Sequence, residues 1–209
     1  MYCKQHSKPA QYIQEKIIAA LLELMQHFPF QEITITQICQ EAQISRASFY
    51  RNFDRKEHVL LLHVDHLTWK QLQNHAEPLI YKKLSQDISC HTDEIASTSR
   101  PNLELFFQFF YDNKQFFQLV LKNNLFSLFH QISFTPATDA LYFQHLYNTY
   151  DNPEFNQILF HCVIAAQYTI LEQWLANDCV ESIPEMVQLT IQIFSNLNPG
   201  WLESKETTH

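Results

Sequence analysis

Gly200 is the only glycine among the 209 residues. Tight hairpins and phosphate-cradling loops rely on backbone at positive φ, which glycine adopts without steric cost. A chain this poor in glycine is badly supplied for β-hairpins or glycine-rich nucleotide loops. Its apolar residues instead recur at helical spacing. In the first such stretch Ile13, Ile17, Leu21, Leu24 and Phe28 follow i, i+4, i+8, i+11 and i+15. The expected class is all-α, and a chain of this length allows one or two domains.

Within that class the segment Thr34 to Glu57, TITQICQEAQISRASFYRNFDRKE, is the most specific. It reads as two short helices joined by a tight turn, with a longer helix following. The first runs from about Ile35 to Ala42, with Thr34 as N-cap and Ile38 and Ala42 pointing inward at i, i+4 spacing. Ser45 caps the second by accepting a bond from an orphan N–H of the first turn. At about 100° per residue, Phe49 and Phe53 share one face of this second helix. Arg46, Ser48, Tyr50, Arg51 and Asn52 take the exposed positions. Ala47 is small enough to let the backbone approach base edges. Arg46 suits a guanine edge or a phosphate, and the Tyr50 hydroxyl and the Lys56 ammonium suit phosphate oxygens. One face packed on a domain and the other free for a DNA groove is the expected arrangement.

These residues carry a resemblance. The order IIAALLELM, TITQICQEA, AQIS, RASFYRNF and DRKEHVL resembles the DNA-binding domain of the tetracycline-repressor (TetR) family over Ile13 to Leu60. The resemblance implies a three-helix helix-turn-helix domain with double-stranded DNA as partner. Carried over by position, it implies base contacts from Arg46, Ala47 and Ser48. It also implies phosphate contacts from Thr34, Thr36, Tyr50, Asn52 and Lys56, with Ser45 and Arg51 in the same DNA-facing set. One position departs from the family pattern: Gln43 stands where the turn usually has glycine. The domains expected are 1–56, the helix-turn-helix, and 57–209, a helical bundle for ligand binding and dimerisation.

The net charge of −8 is unusual for a DNA binder until it is divided along the chain. Residues 1–60 hold seven Lys and Arg against six Asp and Glu, a balance of +1, so the remainder carries −9. Arg46, Arg51, Arg55 and Lys56 lie on or beside the second short helix, a local patch that can meet phosphates. The five cysteines, Cys3, Cys39, Cys90, Cys162 and Cys179, are scattered and read as free thiols, without metal-ligand spacing. No apolar run is long enough to span a bilayer, and MYCKQHSKPAQ lacks a secretory apolar core. A cytoplasmic protein without membrane contact is expected.

After residue 60 the chain reads as further helices. Asp54 and Glu57 form a capping-box-like pair for a helix continuing to about Glu77. Residues 85–102 and 133–139 read as connections, and the helical stretch 103–130 is broken near Asp112–Lys114. Asp151 or Asn152 with Pro153 opens a long helix ending near Asn177, and Ser182 with Pro184 and Glu185 opens the last. The cue YTILEQWLANDCVESIPEM resembles the C-terminal domain of dihydroxyacetone-kinase-type regulators within the TetR family. That family commonly dimerises through its last two helices, which here implies an interface from Ile158, Cys162, Ala166, Ile170, Met186, Leu189 and Ile193. The same residues would also serve an intrachain core.

The aromatic density at 103–130 covers more than one helix face. It fills a core or encloses a pocket for a small neutral or apolar effector, walled by Trp69, Phe106, Phe110, Phe117 and Phe129, with His130 and Gln167 as orienting polar groups. No cofactor and no metal site are expected. His63 and His66 with Asp65 between them lack a third ligand fixed by the sequence and read as surface groups. Cys90-His91 and His161-Cys162 are neighbours that cannot face one site in regular structure. The sequence therefore reads as a ligand-responsive homodimeric repressor rather than an enzyme. The alternative, a helical enzyme or small-molecule binder that does not touch DNA, needs a catalytic constellation that the sequence lacks.

Overall fold

The computed structural model describes residues 8–74, 100–128 and 152–197. Every regular element among them is helical, so the all-α class holds. The elements are α1 (Lys8–His27), α2 (Ile35–Glu41), α3 (Arg46–Asn52), α4 (Lys56–Asn74), α5 (Arg100–Asp112), α6 (Lys114–Lys122), α7 (Pro153–Ala176) and α8 (Ile183–Leu197). A 3-10 turn, Phe30–Glu32, links α1 to α2. No helix among the described residues is long and apolar enough to cross a membrane.

The chain divides into two compact units, Met1–Ala76 and Glu77–His209. Helix α4, which follows the expected boundary at residue 56, packs on α1 and buries Val59 and Leu60 in the core of the first unit. That core also contains Ile17, Leu21, Met25, Ile33, Ile38, Phe49 and Phe53. The regular stripe expected along α1 holds only in its middle. Ile13 and Leu24 are half-buried and Phe28 is exposed, while Gln14 and Ile18 are buried. The reason is that α1 is covered by α2, α3 and α4 from different sides, so its buried arc is wider than a single stripe.

Local chemistry sets the helix ends. Thr34 and Gln37 form a complete capping box on α2: the Gln37 N–H donates to Thr34 Oγ1 at 3.2 Å, and the Thr34 N–H donates to Gln37 Oε1 at 2.8 Å. Ser45 Oγ accepts from the Ser48 N–H at 3.1 Å to start α3. Asp54 and Glu57, the expected capping pair, flank the start of α4, which begins at Lys56 with Glu57 in its first turn. Between α2 and α3, Ile44 N–H reaches back to the Cys39 carbonyl at 2.9 Å, closing α2 in a Schellman-type end. Gln43 occupies its left-handed position with φ of 53°. The turn geometry normally served by glycine is therefore kept, at a steric cost of about 1–2 kcal/mol.

In the second unit, the helical stretch beginning at Arg100 breaks at Asn113, as expected near 112–114. Asn152 Oδ1 accepts from the Glu154 N–H at 2.9 Å to cap α7, with Pro153 in its first turn. Before α8, the Ser182 N–H and Oγ–H both donate to Glu185 Oε2, at 2.7 and 2.6 Å. Trp174 is the centre of this unit. Its ring meets Phe107 edge-on at 5.3 Å and stacks on Tyr111 at 6.1 Å, and its indole N–H donates to the Glu181 carbonyl at 2.9 Å. Burial of a ring and satisfaction of its polar handle thus fix the α7–α8 link against α5. Most of the 85–102 stretch, and the 133–139 connection, lie outside the described residues.

Gln43 gives a direct check on the turn. Gln43→Gly is expected to leave the denaturation midpoint nearly unchanged, because relief of the left-handed strain offsets the added freedom of the unfolded chain. Gln43→Val, which puts a β-branched side chain at positive φ, is expected to cost about 2 kcal/mol. Equal midpoints for the two variants would show that this turn is not strained.

Candidate nucleic-acid interface

A seven-residue helix is too short to be stable alone, so α3 is held by its neighbours. Phe49 and Phe53 are fully buried, with ring centroids 5.8 Å apart. Each such ring contributes roughly 2–3 kcal/mol by leaving water. This anchoring turns the opposite face outward, where Arg46, Ala47, Tyr50 and Arg51 are exposed. Thr36, on α2, is exposed as well. Ser48 is half-buried, and its hydroxyl lies 3.2 Å from Ser45 Oγ while Arg51 Nη2 donates to it at 2.9 Å. The Ser45–Ser48–Arg51 chain orders the first turn and holds one Arg51 nitrogen, leaving that guanidinium further N–H groups for an anion. Two guanidiniums, a phenol and a methyl-sized side chain on one exposed helix face suit a groove lined with phosphates and base edges.

Three residues expected to meet phosphates are differently engaged. Asn52 is buried, not exposed: Gln14 Nε2 donates to its Oδ1 at 3.2 Å, and its Nδ2 donates to the Ser48 carbonyl at 2.9 Å. The helical wheel does not show this, because the burial comes from α1 crossing the end of α3. Thr34 is exposed, but its N–H and O–H both point to Gln37 Oε1, at 2.8 and 2.7 Å. Both of its donors are therefore occupied by the cap. Lys56 is half-buried, and its ammonium donates to the carbonyls of Phe30, Gln31 and Ile33. Gln14 is the polar partner that sequence reasoning missed. It lies in α1 among apolar residues, and nothing in the spacing ties it to residue 52.

Comparison with known proteins agrees with this geometry. "Bacterial regulatory proteins, tetR family" matches residues 17–62, and "Transcriptional regulator C-terminal region" matches residues 97–196. Together the two cover most of the chain. The chain belongs to the TetR family. It is a DNA-binding transcriptional regulator by that membership, with its helix-turn-helix in α2 and α3. No curated protein matches it. Among solved structures it is similar to "Dihydroxyacetone kinase operon activator DhaS", at 17% identity over 88% of this chain and 95% of that one. The TM-score is 0.38.

In this TetR-family chain, the residues expected to wall an effector pocket differ in exposure. Trp69 belongs to the first unit and is 66% exposed. Phe106 is half-buried, while Phe110 and Phe117 are buried and meet at 4.5 Å. Phe106 also meets Phe110 at 5.0 Å and Tyr168 at 6.5 Å. The aromatic excess is thus used in ring-to-ring packing by these residues. Phe129 and His130 lie outside the described residues. Gln167 is buried, and among the described residues its side chain has no hydrogen-bond partner. An open groove lies elsewhere, between Glu104, Gln108 and Tyr111 on α5 and the 179–185 link.

The expected dimer residues divide. On α7, Ile158 and Cys162 are exposed, and Ala166 and Ile170 are half-buried. On α8, Leu189 is 44% exposed and Ile193 half-buried, but Met186 is buried in the core of its own unit. Its position beside Val187 and Thr190 places it on the inward face of α8. Among the described residues no group of three or more His, Cys, Asp or Glu could hold a metal ion. His66 is exposed, but His63 is half-buried, and burial, with His66 nearby, pushes its imidazole down to about 4.

Proposed function

We propose that the chain is a homodimeric, effector-responsive repressor that binds a palindromic operator through α3. The observation that carries the DNA reading is the exposed Arg46–Ala47–Tyr50–Arg51 face, fixed from behind by two fully buried phenylalanines. Arg46 and Ala47 are the base-reading positions, and Thr36, Tyr50 and Arg51 the phosphate-facing ones. Repression requires no more than occupation of a promoter. The acidic remainder of the chain repels DNA elsewhere and favours contact through this one patch.

The homodimer is supported by apolar residues on both sides of α7. Gln167, Leu171 and Trp174 face the core of its own unit. On the opposite side Ile158, Cys162 and Ala165 are exposed, within about 60° of one another on the helix. Apolar residues left outward on such a helix suit a two-fold mate, and a two-fold protein matches a two-fold DNA site. The effector reading is supported by Gln167. A buried amide without a partner costs about 1–3 kcal/mol, and a neutral ligand with hydrogen-bonding groups would relieve that cost. Such an effector would release DNA by favouring a different spacing of the two recognition helices.

Three measurements check these points. Arg46→Ala is expected to cost roughly 1–3 kcal/mol in operator binding and to relax preference at one base position; unchanged preference would remove Arg46 from base reading. Ile158→Arg changes an exposed residue, so it should leave the unit folded while shifting sedimentation from dimer to monomer. A wild-type monomer at micromolar concentration would sink the interface. Gln167→Leu should raise the melting temperature of the free protein, by removing the unpaired amide, and abolish stabilisation by any effector found in a thermal-shift screen. A lower melting temperature would mean that Gln167 is satisfied in the free chain.

A further inference from the structure

The segment from Ile33 to Lys56 contains the whole of α2, the turn and α3, and its two ends meet. The Lys56 ammonium donates to the Ile33 carbonyl at 2.7 Å, to the Gln31 carbonyl at 3.3 Å and to the Phe30 carbonyl. An ammonium has three N–H donors, and all three are used here. Its charge also lies over the Phe30 ring, 4.4 Å from the centroid. Phe30 and Ile33 are themselves buried, so the carbonyl cradle is fixed to the core of the first unit. Desolvation in this cradle lowers the Lys56 pKa, as burial of an ammonium does.

We propose that Lys56 is a positioning residue for DNA binding, a clasp that closes the helix-turn-helix on itself, and not a phosphate contact. This rests on the DNA-binding reading above and departs from the phosphate role that the family resemblance implies for this position. The chain runs from the cradle through Ile33 into Thr34, the cap of α2, then through the left-handed turn into α3. It returns through Phe53 to Lys56, at the first residue of α4. Holding both ends together removes freedom from everything between them. The elements that gain are those that set the height and tilt of Arg46, Ala47 and Tyr50 above the domain. A phosphate recruiting Lys56 would have to strip it from three carbonyls, two of them on the buried residues Phe30 and Ile33.

The test is fluorescence anisotropy of the full chain on a duplex selected by the wild-type protein, over a series of salt concentrations. Lys56→Met should raise Kd by roughly tenfold on all sequences, with the slope of log K against log salt unchanged. Lys56→Arg should not restore the wild-type Kd, because a planar fork does not match a cradle built round a compact ammonium. A slope reduced by about one per substituted lysine, with full rescue by arginine, would assign a phosphate contact and overturn the proposal. A lowered melting temperature with unchanged Kd below it would overturn it too, leaving a merely stabilising residue. Nitrogen-15 NMR of the wild-type lysine ammonium groups needs no variant. The Lys56 signal should keep its free-state shift on addition of DNA, and a shift would contradict the clasp. If the wild type shows no salt-dependent binding to any duplex, the DNA reading itself fails; if it binds and only the slope of Lys56→Met falls, the clasp alone fails.

Discussion

Phe49 and Phe53 are sealed from water in the first unit, and a helix as short as α3 keeps its orientation chiefly through that burial. Everything proposed for recognition depends on that burial. With one face of α3 committed to the core, the other must carry whatever Arg46, Ala47, Tyr50 and Arg51 do. The remaining devices refine the same constraint. Ser45 fixes where the helix begins, Gln43 holds the turn in its left-handed form, and Asn52 joins the end of α3 to Gln14 of α1. These are short-range or pairwise bonds, each worth about 1 kcal/mol, added to a much larger apolar anchor.

What the sequence made legible is mostly what chemistry writes locally. The caps at Thr34, Ser45 and Asn152, and the Glu185 carboxylate on the Ser182 N–H, are side chains acting on backbone a few residues away, so their positions can be read directly. The break at Asn113 and the paired phenylalanines of α3 follow from the same kind of reading. Residues whose partners lie far along the chain were not legible. The Gln14–Asn52 pair spans 38 positions and the Lys56–Ile33 bond 23, and no periodicity records either. A helical wheel treats Asn52 as exposed because it contains no second helix, and it gives Lys56 no partner because it contains no turn. For Met186 the wheel likewise finds the apolar face of α8 without saying what covers it, and the residue is buried in its own unit.

The second unit shows how composition can leave two outcomes open. Its phenylalanines were numerous enough either to enclose space or to meet each other. Phe110 and Phe117 meet at 4.5 Å, and Phe107 packs against Trp174. The aromatic count alone therefore does not argue for a pocket. One polar group does, because Gln167 is buried among the described residues without a side-chain partner. The two faces of α7 then divide the work of this unit between an inward side holding Gln167, Leu171 and Trp174 and an outward side suited to a mate.

The central claim is that the outward face of α3 reads DNA, twice per molecule, in two-fold symmetry. Selection of random-sequence duplexes by the purified wild-type chain tests it most directly. The account predicts enrichment of a palindromic sequence whose affinity falls steeply with salt, as expected when several phosphates are neutralised in each half-site. Failure to enrich any sequence, or enrichment of a single unsymmetrical site bound by one chain, would contradict it.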